Sequence, residues 1–353
     1  MASVRYYAQT MPGVEEITWL EIKQKLPDAT FVGYQFAKEQ NGIVLFDYSG
    51  PVDDVLKLST AEDLFMVAAA INKVSRSRRD LRIITETVQK GEAFGRAAKA
   101  LMRYRQYSHP PTYTVIPRKI GKHDYKQSEL AMAVLKGMER RLPRWTAVGS
   151  GSDNTSAQVE IWANLLGSSL LLGFRLSAPV KPNRKLPKGG IKDSTAAALV
   201  LLTEPDPQDL FLDPVCGIGQ TLKARRQSGP YQQLLGGDDR GVEAAQRQVM
   251  PRRGGRGRTI SIREWDPSKL PIADQRVTKV ATYLPTDNEP FVMGVLGELE
   301  RVVAGNGRII IFTHAYDQLK TLLREYPHLE ILTGYSVMDA GHWGRVYIIK
   351  RSE

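Results

Sequence analysis

The stretch "LFLDPVCGIGQTL" at residues 210–222 places an acidic side chain beside glycine-rich backbone. Its apolar start predicts the end of a buried strand, with Asp213 at the tip. Gly217 and Gly219 follow, and glycine allows both a tight turn and the close approach of a ligand. Residues 220–226 predict a helix, whose first amide groups favour polar or anionic ligands. The stretch therefore predicts either a nucleotide-type binding turn or an ordinary strand-to-helix connection.

Two further acidic positions follow predicted strands. "QQLLGGDD" ends in Asp238 and Asp239, where a carboxylate could accept hydrogen bonds from ribose hydroxyls, and "TISIREWDPSKLP" contains Asp266, which could accept from an adenine amine. An isolated Asp more commonly caps the next helix. Three acidic residues at predicted strand ends, the first of them before a glycine-rich turn, favour a nucleoside cofactor, because open α/β sheets bind ligands at the carboxyl ends of their strands. "GIGQTL" lacks the third glycine of a dinucleotide turn, which disfavours an oxidoreductase.

These positions depend on a regular alternation of elements from Ile191 onward. The predicted strands are 209–213, 233–238, 259–263, 277–283, 307–313, 329–335 and 345–350. The predicted helices are 193–202, 219–227, 241–250, 289–304 and 315–326. Such alternation predicts a mostly parallel, doubly wound α/β sheet. The last two strands are too close for a crossover helix, so we expect them to pair antiparallel.

The chain before this region divides into three parts that differ in composition and hydrophobic pattern. Residues 1–70 combine short alternating runs with a helical stretch from Glu15 to Lys25, which predicts a small α+β domain. Residues 71–180 predict two helices, "AFGRAAKALMRYR" and "QSELAMAVLKGMERRL", and three strands, "TYTVIPRK", "AQVEIWANL" and "SSLLLGFRLSA". Residues 181–192 contain prolines, glycines and lysines, which indicates a linker to a final domain over 193–353.

Charge is concentrated in the middle of the chain. The net charge is +11, and residues 71–150 carry 18 Lys and Arg against 6 Asp and Glu. This block favours a polyanionic partner such as nucleic acid, although solvated surface lysine is the alternative. The start of the chain has no apolar leader, no apolar run approaches the roughly 20 residues of a membrane span, and Cys216 is the single cysteine. We therefore expect a cytoplasmic protein without a metal or membrane partner.

"LFLDPVCGIGQTL" resembles the Asp-Pro-x-Cys-Gly-x-Gly-Thr signature of Rossmann-like S-adenosylmethionine-dependent methyltransferases that act on exocyclic amines. "GGDD" and "WDPSKLP" resemble the two acidic motifs that follow it, and "IKDSTAAALVLL" resembles the segment that closes over the cofactor. The resemblance implies a seven-stranded Rossmann-like domain with an antiparallel last strand, and S-adenosylmethionine as cofactor. The cofactor-binding residues that it implies are Thr195, Asp213, Pro214, Gly217, Gly219, Asp238, Asp239 and Asp266.

Upstream, "YYAQTMPGVEEITWLEI" resembles the ferredoxin-like opening of THUMP-containing RNA methyltransferases, and "TYTVIPRKIGKHDYKQSEL" resembles THUMP itself. The most similar members are tRNA guanine-N2 methyltransferases of the acceptor stem, so the resemblance implies a structured RNA, most simply tRNA, held by its single-stranded 3′ end. The candidate RNA contacts are Arg118, Lys119, Lys122, Lys126, Arg184 and Lys185. Lys188 and "RRGGRGR" at 252–258 are further candidates or solvated residues. Tyr113 and Tyr125 offer either stacking faces or internal packing.

The catalytic motif departs from this family. "VATYLPTDN" keeps Leu284 and Pro285, but Tyr283 stands where Asn or Asp is usual and Thr286 replaces an aromatic residue. The family mechanism implies that a polar side chain and a backbone carbonyl accept both amine hydrogens while the aromatic ring stacks on an extruded base. The predicted catalytic residues are Tyr283, Leu284 and Pro285. The alternatives are an active methyltransferase and a non-catalytic RNA-binding homologue.

Overall fold

The computed structural model describes residues 3–37, 41–149, 157–178, 186, 189–250 and 259–353. The chain forms two compact units, Met1–Thr10 with Ile22–Arg184, and Met11–Glu21 with Lys185–Glu353. The passage from the first unit to the second falls within the predicted linker. Residues 11–21, which the sequence assigned to an N-terminal domain, belong to the second unit.

In the described residues, the first unit contains an eight-stranded sheet with the order β2-β3-β1-β4-β8-β7-β5-β6. Its strands are β1 Val4–Thr10, β2 Thr30–Ala37, β3 Asn41–Tyr48, β4 Asp63–Ile71, β5 Thr112–Ile120, β6 Thr146–Ala147, β7 Val159–Leu166 and β8 Ser169–Arg175. The helices up to residue 141 are α1 Glu15–Lys25, α2 Val52–Val55, α3 Arg79–Lys90, α4 Glu92–Arg105 and α5 Gln127–Arg141. Each helix and strand predicted in this region is present. The division into ferredoxin-like and THUMP domains stays a prediction, since both regions contribute strands to one sheet.

Several elements of this unit were not predicted, and helix α3 is the largest. Its sequence lies in the basic block 71–150, which we interpreted only as a source of charge. Ile84 and Val88 nevertheless lie on one buried face. Gly137 of α5 permits close packing there, because a Cβ at this position would lie 2.6 Å from the Val88 side chain. Tertiary packing therefore stabilises a helix whose surface is highly polar.

The second unit has, within the described chain, a seven-stranded sheet of order β11-β10-β9-β12-β13-β15-β14. Its strands are β9 Leu210–Asp213, β10 Gln233–Asp238, β11 Thr259–Glu264, β12 Val277–Leu284, β13 Val303–Thr313, β14 Leu329–Asp339 and β15 His342–Arg351. Its helices are α6 Asp193–Leu202, α7 Gln220–Gln227, α8 Glu243–Val249, α9 Glu289–Val302 and α10 Tyr316–Leu322, the last extended by a 3₁₀ turn Leu323–Glu325. The predicted alternation from Ile191 onward is confirmed, with boundaries differing by a few residues at most of the ends.

The strand directions of this sheet also match the prediction. Strands β9 to β13 pair parallel, whereas β15 is antiparallel to both β13 and β14. Apolar side chains pack on both faces, as expected for a doubly wound sheet. One face includes Met11, Val14 and Ile17 from the N-terminal segment, and the Met338 amide donates to the Pro12 carbonyl at 2.9 Å.

Among the described residues, no helix combines the length and hydrophobicity needed to cross a bilayer. The same residues contain no group of three or more His, Cys, Asp or Glu side chains arranged to hold a metal ion.

Candidate functional site

The glycine loop after β9 is anchored by the carboxylate that begins it. Asp213 is buried, and its oxygens accept hydrogen bonds from the Thr221 hydroxyl on α7 and from the Val215 amide at 3.3 Å. Burial raises the pKa of Asp213 to about 7, because the charged form loses its hydration. Asp213 therefore closes the turn between β9 and α7.

The two loop glycines have different surroundings. Both have positive φ, +50° at Gly217 and +82° at Gly219, a region that residues with a side chain seldom adopt. A Cβ on Gly219 would lie 2.9 Å from Val249 Cγ2 and 3.0 Å from Ala245 Cβ. A Cβ on Gly217 would have as its nearest neighbour the carbonyl oxygen of Gly189, at 3.9 Å. Gly219 thus brings the loop against helix α8, whereas Gly217 leaves backbone beside open space.

The two aspartates at the end of β10 also differ in their surroundings. Asp238 is buried, and one oxygen accepts from the Gly217 amide at 2.9 Å while the other accepts from the Arg240 amide at 3.1 Å. Asp239 retains 49% side-chain exposure and lies 3.4 Å from the Arg240 guanidinium. Asp238 thereby holds the glycine loop, and Asp239 is the carboxylate accessible to a ligand.

Two side chains attach the preceding segment to this loop. The Gln220 amide group accepts from the Ile191 amide at 3.1 Å and donates to the Ile191 carbonyl. Thr195 is buried in α6, where its hydroxyl donates to Asp339 Oδ1 at 2.5 Å, and the Lys192 amide donates to the same oxygen at 3.1 Å. Gln220 thus ties Ile191 to the loop, and Thr195 positions α6.

A cavity of about 430 Å³ opens beside this assembly. It combines a glycine backbone, one acidic and one basic side chain, two aromatic rings and small polar groups. Its lining residues are Gly189, Asp239, Arg240, Tyr283, Pro285, Thr286, Asn288 and Phe291. The volume lies within the range of about 300–1,000 Å³ of small-molecule sites.

The predicted catalytic residues divide between this cavity and the core. Tyr283 and Pro285 line the cavity, whereas Leu284 is buried and its carbonyl accepts from the Thr313 hydroxyl at 3.0 Å. The ring of Tyr283 stacks on Phe312 with centroids 5.3 Å apart and meets His314 edge-on at 5.7 Å. Burial, followed by the nearby Asp339 charge, raises the pKa of Tyr283.

Asp266 lies apart from the cavity lining. Its Oδ1 accepts from the Ser268 amide at 2.9 Å and the Ser268 hydroxyl at 2.7 Å, and these bonds lower the pKa of Asp266. This is the local turn role that an isolated Asp commonly has. The neighbouring Trp265 is buried, and its indole N–H donates at 2.9 Å to the carbonyl of Pro214.

The predicted RNA contacts of the first unit also divide. The Arg118 guanidinium is partly buried over the Trp162 ring, 5.0 Å from its centroid, and burial lowers the pKa of Arg118. The Lys119 ammonium donates to the Tyr125 carbonyl at 2.7 Å. Lys122 and Lys126 are exposed. Tyr113 and Tyr125 are buried, which favours their packing interpretation. The remaining candidates, Arg184, Lys185, Lys188 and 252–258, lie outside the described residues.

Four lining residues had no part in the sequence analysis. Asn288 begins α9, where its side-chain oxygen accepts from the Phe291 amide at 3.1 Å. The Asn-x-Pro sequence at 288–290 is a helix-start signal that could have located Asn288, and the aromatic residue after it, Phe291, follows from the same turn. Gly189 and Arg240 carried no such signal.

Comparisons with known proteins place the fold. No protein-family model matches the chain, and no curated protein matches its sequence. Among solved structures, the chain is similar to TrmN from Thermus thermophilus, with 19% identity, a TM-score of 0.75, and 99% of this chain and 100% of TrmN covered. SMU.472, described as a methyltransferase and crystallised with SAH, has 13% identity and a TM-score of 0.67 over 99% of this chain and 98% of its own.

A protein from Listeria monocytogenes, described as a predicted N6-adenine-specific DNA methylase, has 16% identity and a TM-score of 0.65, covering 99% and 96% of the two chains. At these identities the likeness is one of fold. The chain therefore has the mixed α/β fold of these structures along nearly its whole length.

Proposed function

We propose that this protein is an S-adenosylmethionine-dependent methyltransferase acting on RNA, with the N2 amine of a guanosine in the tRNA acceptor stem as its target. The observation that carries the proposal is the cavity at the carboxyl edge of the second sheet, where Asp239, Tyr283 and Phe291 share one space beside the glycine loop. The likeness to SMU.472, which was crystallised with SAH, supports the choice of cofactor.

The residues present fit the adenosyl cofactor. Gly217 exposes backbone without a side chain next to Gly189, and Asp239 presents a carboxylate that can accept two ribose hydroxyls. In our proposal Asp238 acts indirectly, since its oxygens already hold the Gly217 and Arg240 amides. When bound, S-adenosylmethionine supplies a methyl group on a sulfonium, which an amine lone pair can attack.

The rest of the cavity suits a planar base. The rings of Tyr283 and Phe291 offer apolar faces, and the Tyr283 hydroxyl can accept one hydrogen of an exocyclic amine. The Leu284 carbonyl lies outside the cavity lining and already accepts from the Thr313 hydroxyl, so the proposal assigns it no amine hydrogen. Phe291 then takes the stacking role for which Thr286 is chemically unsuited.

In this proposal the first unit provides the positive charge that attracts the RNA. The excess of basic residues over 71–150 belongs to it, and a basic surface attracts the phosphate backbone. Lys122 and Lys126 are the exposed predicted contacts at the start of α5. Arg118 instead serves internal packing in this proposal.

The test is incubation with methyl-labelled S-adenosylmethionine and unmodified tRNA, followed by nucleoside analysis. We expect label in N2-methylguanosine, reduced at least tenfold in Phe291→Ala, with Met293→Ala on the same helix as a control. Label in another nucleoside would support methyltransferase activity but overturn the assignment of guanosine as the target.

A second candidate function is RNA binding without methyl transfer. The stacking of Tyr283 on Phe312 favours it, because that contact holds the phenol ring in the sheet. Under this alternative tRNA binds and no nucleoside acquires label, even when calorimetry demonstrates cofactor binding.

A further inference from the structure

A second cavity, of about 590 Å³, lies in the first unit between the last turn of α3, the first turns of α4 and the last turn of α5. Helix α5 separates it from the predicted RNA contacts, since Lys126 directly precedes this helix and Arg141 ends it. At about 1.5 Å per residue, its 15 residues span roughly 20 Å. The lining residues are Gln89, Lys90, Gly95, Ala98, Lys99, Met102, Arg140, Arg141, Leu142 and Trp145.

The charged side chains of this lining are all basic: Lys90, Lys99, Arg140 and Arg141. In the part of the chain that the structure describes, none of the four forms an ion pair. Three of the four side chains are exposed, so solvent screens their mutual repulsion, but an anion inside the cavity would be attracted by all four charges.

Three acidic side chains lie close in sequence to the lining, Glu86, Glu92 and Glu139, and the first two pair with other cations. Glu86 lies 2.9 Å from the Arg82 guanidinium, one turn back on α3, and Glu92 lies 3.2 Å from Arg96 on α4. These exposed pairs contribute little to stability; Glu92 is directed toward Arg96, whereas the Glu86 charge also acts on Lys90.

Arg141 is held in place by neutral groups. Its Nη1 donates to the Gln89 carbonyl at 2.7 Å, and a Cβ on Gly95 would lie 2.0 Å from its Nη2. Gly95 therefore lets the guanidinium lie directly against α4. A guanidinium fixed without a carboxylate keeps the donors that Gln89 does not use available for a phosphate.

The lining also has an apolar part, formed by Ala98, Met102, Leu142 and Trp145. A cavity that joins several cations to an apolar wall suits a phosphorylated organic molecule better than a bare inorganic anion. We propose that this cavity binds a nucleoside 5′-monophosphate group, with the phosphate at the basic side chains and the nucleoside against the apolar wall. The group could belong to a free nucleotide or to the 5′ end of an RNA chain. The site is separate from the proposed cofactor site, and its occupancy does not depend on methyl transfer.

The test is calorimetry on the full chain without S-adenosylmethionine, using AMP, GMP and a short single-stranded RNA with either a 5′-phosphate or a 5′-hydroxyl. The variant is Lys90→Ala/Lys99→Ala. The matched control is Arg103→Ala/Lys136→Ala, which removes two exposed cations of α4 and α5 that do not line the cavity. Circular dichroism checks that both double variants fold.

We expect binding that weakens about tenfold or more in the cavity variant and less than threefold in the control, as for lost charge-assisted contacts. Binding of AMP or GMP identifies a free nucleotide as the source, and binding of only the phosphorylated RNA identifies an RNA end. Equal affinity for 5′-phosphate and 5′-hydroxyl RNA, equal losses in both double variants, or no binding of any probe would overturn the proposal.

Discussion

The two glycines of the β9–α7 loop allow a matched test of how the site is built. Replacing either by alanine introduces the same methyl group at a positive φ, so both variants carry the strain of left-handed backbone, about 1–2 kcal/mol. The methyl group added at position 219 would also meet Val249 and Ala245 at 2.9 and 3.0 Å, whereas at position 217 the nearest atom is 3.9 Å away.

The difference in crowding sets the expected magnitudes. Overpacking of this kind costs about 1–3 kcal/mol. We therefore expect Gly219→Ala to lower the free energy of unfolding by about 2–5 kcal/mol and Gly217→Ala by about 1–2 kcal/mol. Both values are reduced slightly because alanine restricts the unfolded chain.

Urea unfolding of both variants, followed by far-ultraviolet circular dichroism, measures the difference. A chain with two units can show two unfolding transitions. We first assign to the second unit the transition whose midpoint shifts in Gly219→Ala. Equal losses in the two variants, or a larger loss in Gly217→Ala, would refute the placement of Gly219 against α8.

Three further predictions follow from the site and its surroundings. The folded-state pKa of Asp213 is raised to about 7. The folded protein therefore holds an extra proton between about pH 4 and 7, and its stability falls as pH rises through this window. Urea unfolding at pH 5 and 7.5 should show Asp213→Asn gaining stability relative to wild type at the higher pH, and a constant difference would contradict the shift. Phe291→Leu should raise the KM for tRNA about tenfold, as expected for lost stacking, with unchanged S-adenosylmethionine affinity by calorimetry. Lys122→Ala/Lys126→Ala should lower the salt slope of tRNA binding by about 1–2, measured by filter binding from low to moderate salt; an unchanged slope would remove both lysines from the interface.

The sequence predicted the second unit well because its elements are strongly patterned. Short apolar strands between helical segments fix the alternation, and the short connection between β14 and β15 requires an antiparallel pair. Helix α3 and strand β4 were missed for opposite reasons. The first is dominated by charge at its start, and the second, "DLFMVAAAI", has an apolar run that suits a helix equally well.

The candidate site could be predicted by region but not by the role of each residue. Sequence placed Asp213, Asp238 and Asp239 at strand ends, but it could not separate the buried aspartates that hold the loop from the one that faces the cavity. That division depends on side-chain direction and on partners such as Arg240, which no pattern marks. Arg225 illustrates the same limit. Its sequence context predicts an exposed helix, yet its side chain is fully buried and its Nη2 lies 2.8 Å from Asp209 Oδ2.

The measurement that tests the central claim most directly is calorimetric binding of S-adenosylmethionine to the wild-type chain and to Asp239→Asn. Glu243→Gln, an exposed carboxylate outside the cavity lining, is the matched control. We predict one cofactor per chain, an affinity about tenfold or more lower in Asp239→Asn, and an unchanged affinity in Glu243→Gln. Absence of binding to the wild-type chain, or equal affinity in all three proteins, would contradict the assignment of this cavity to the adenosyl cofactor.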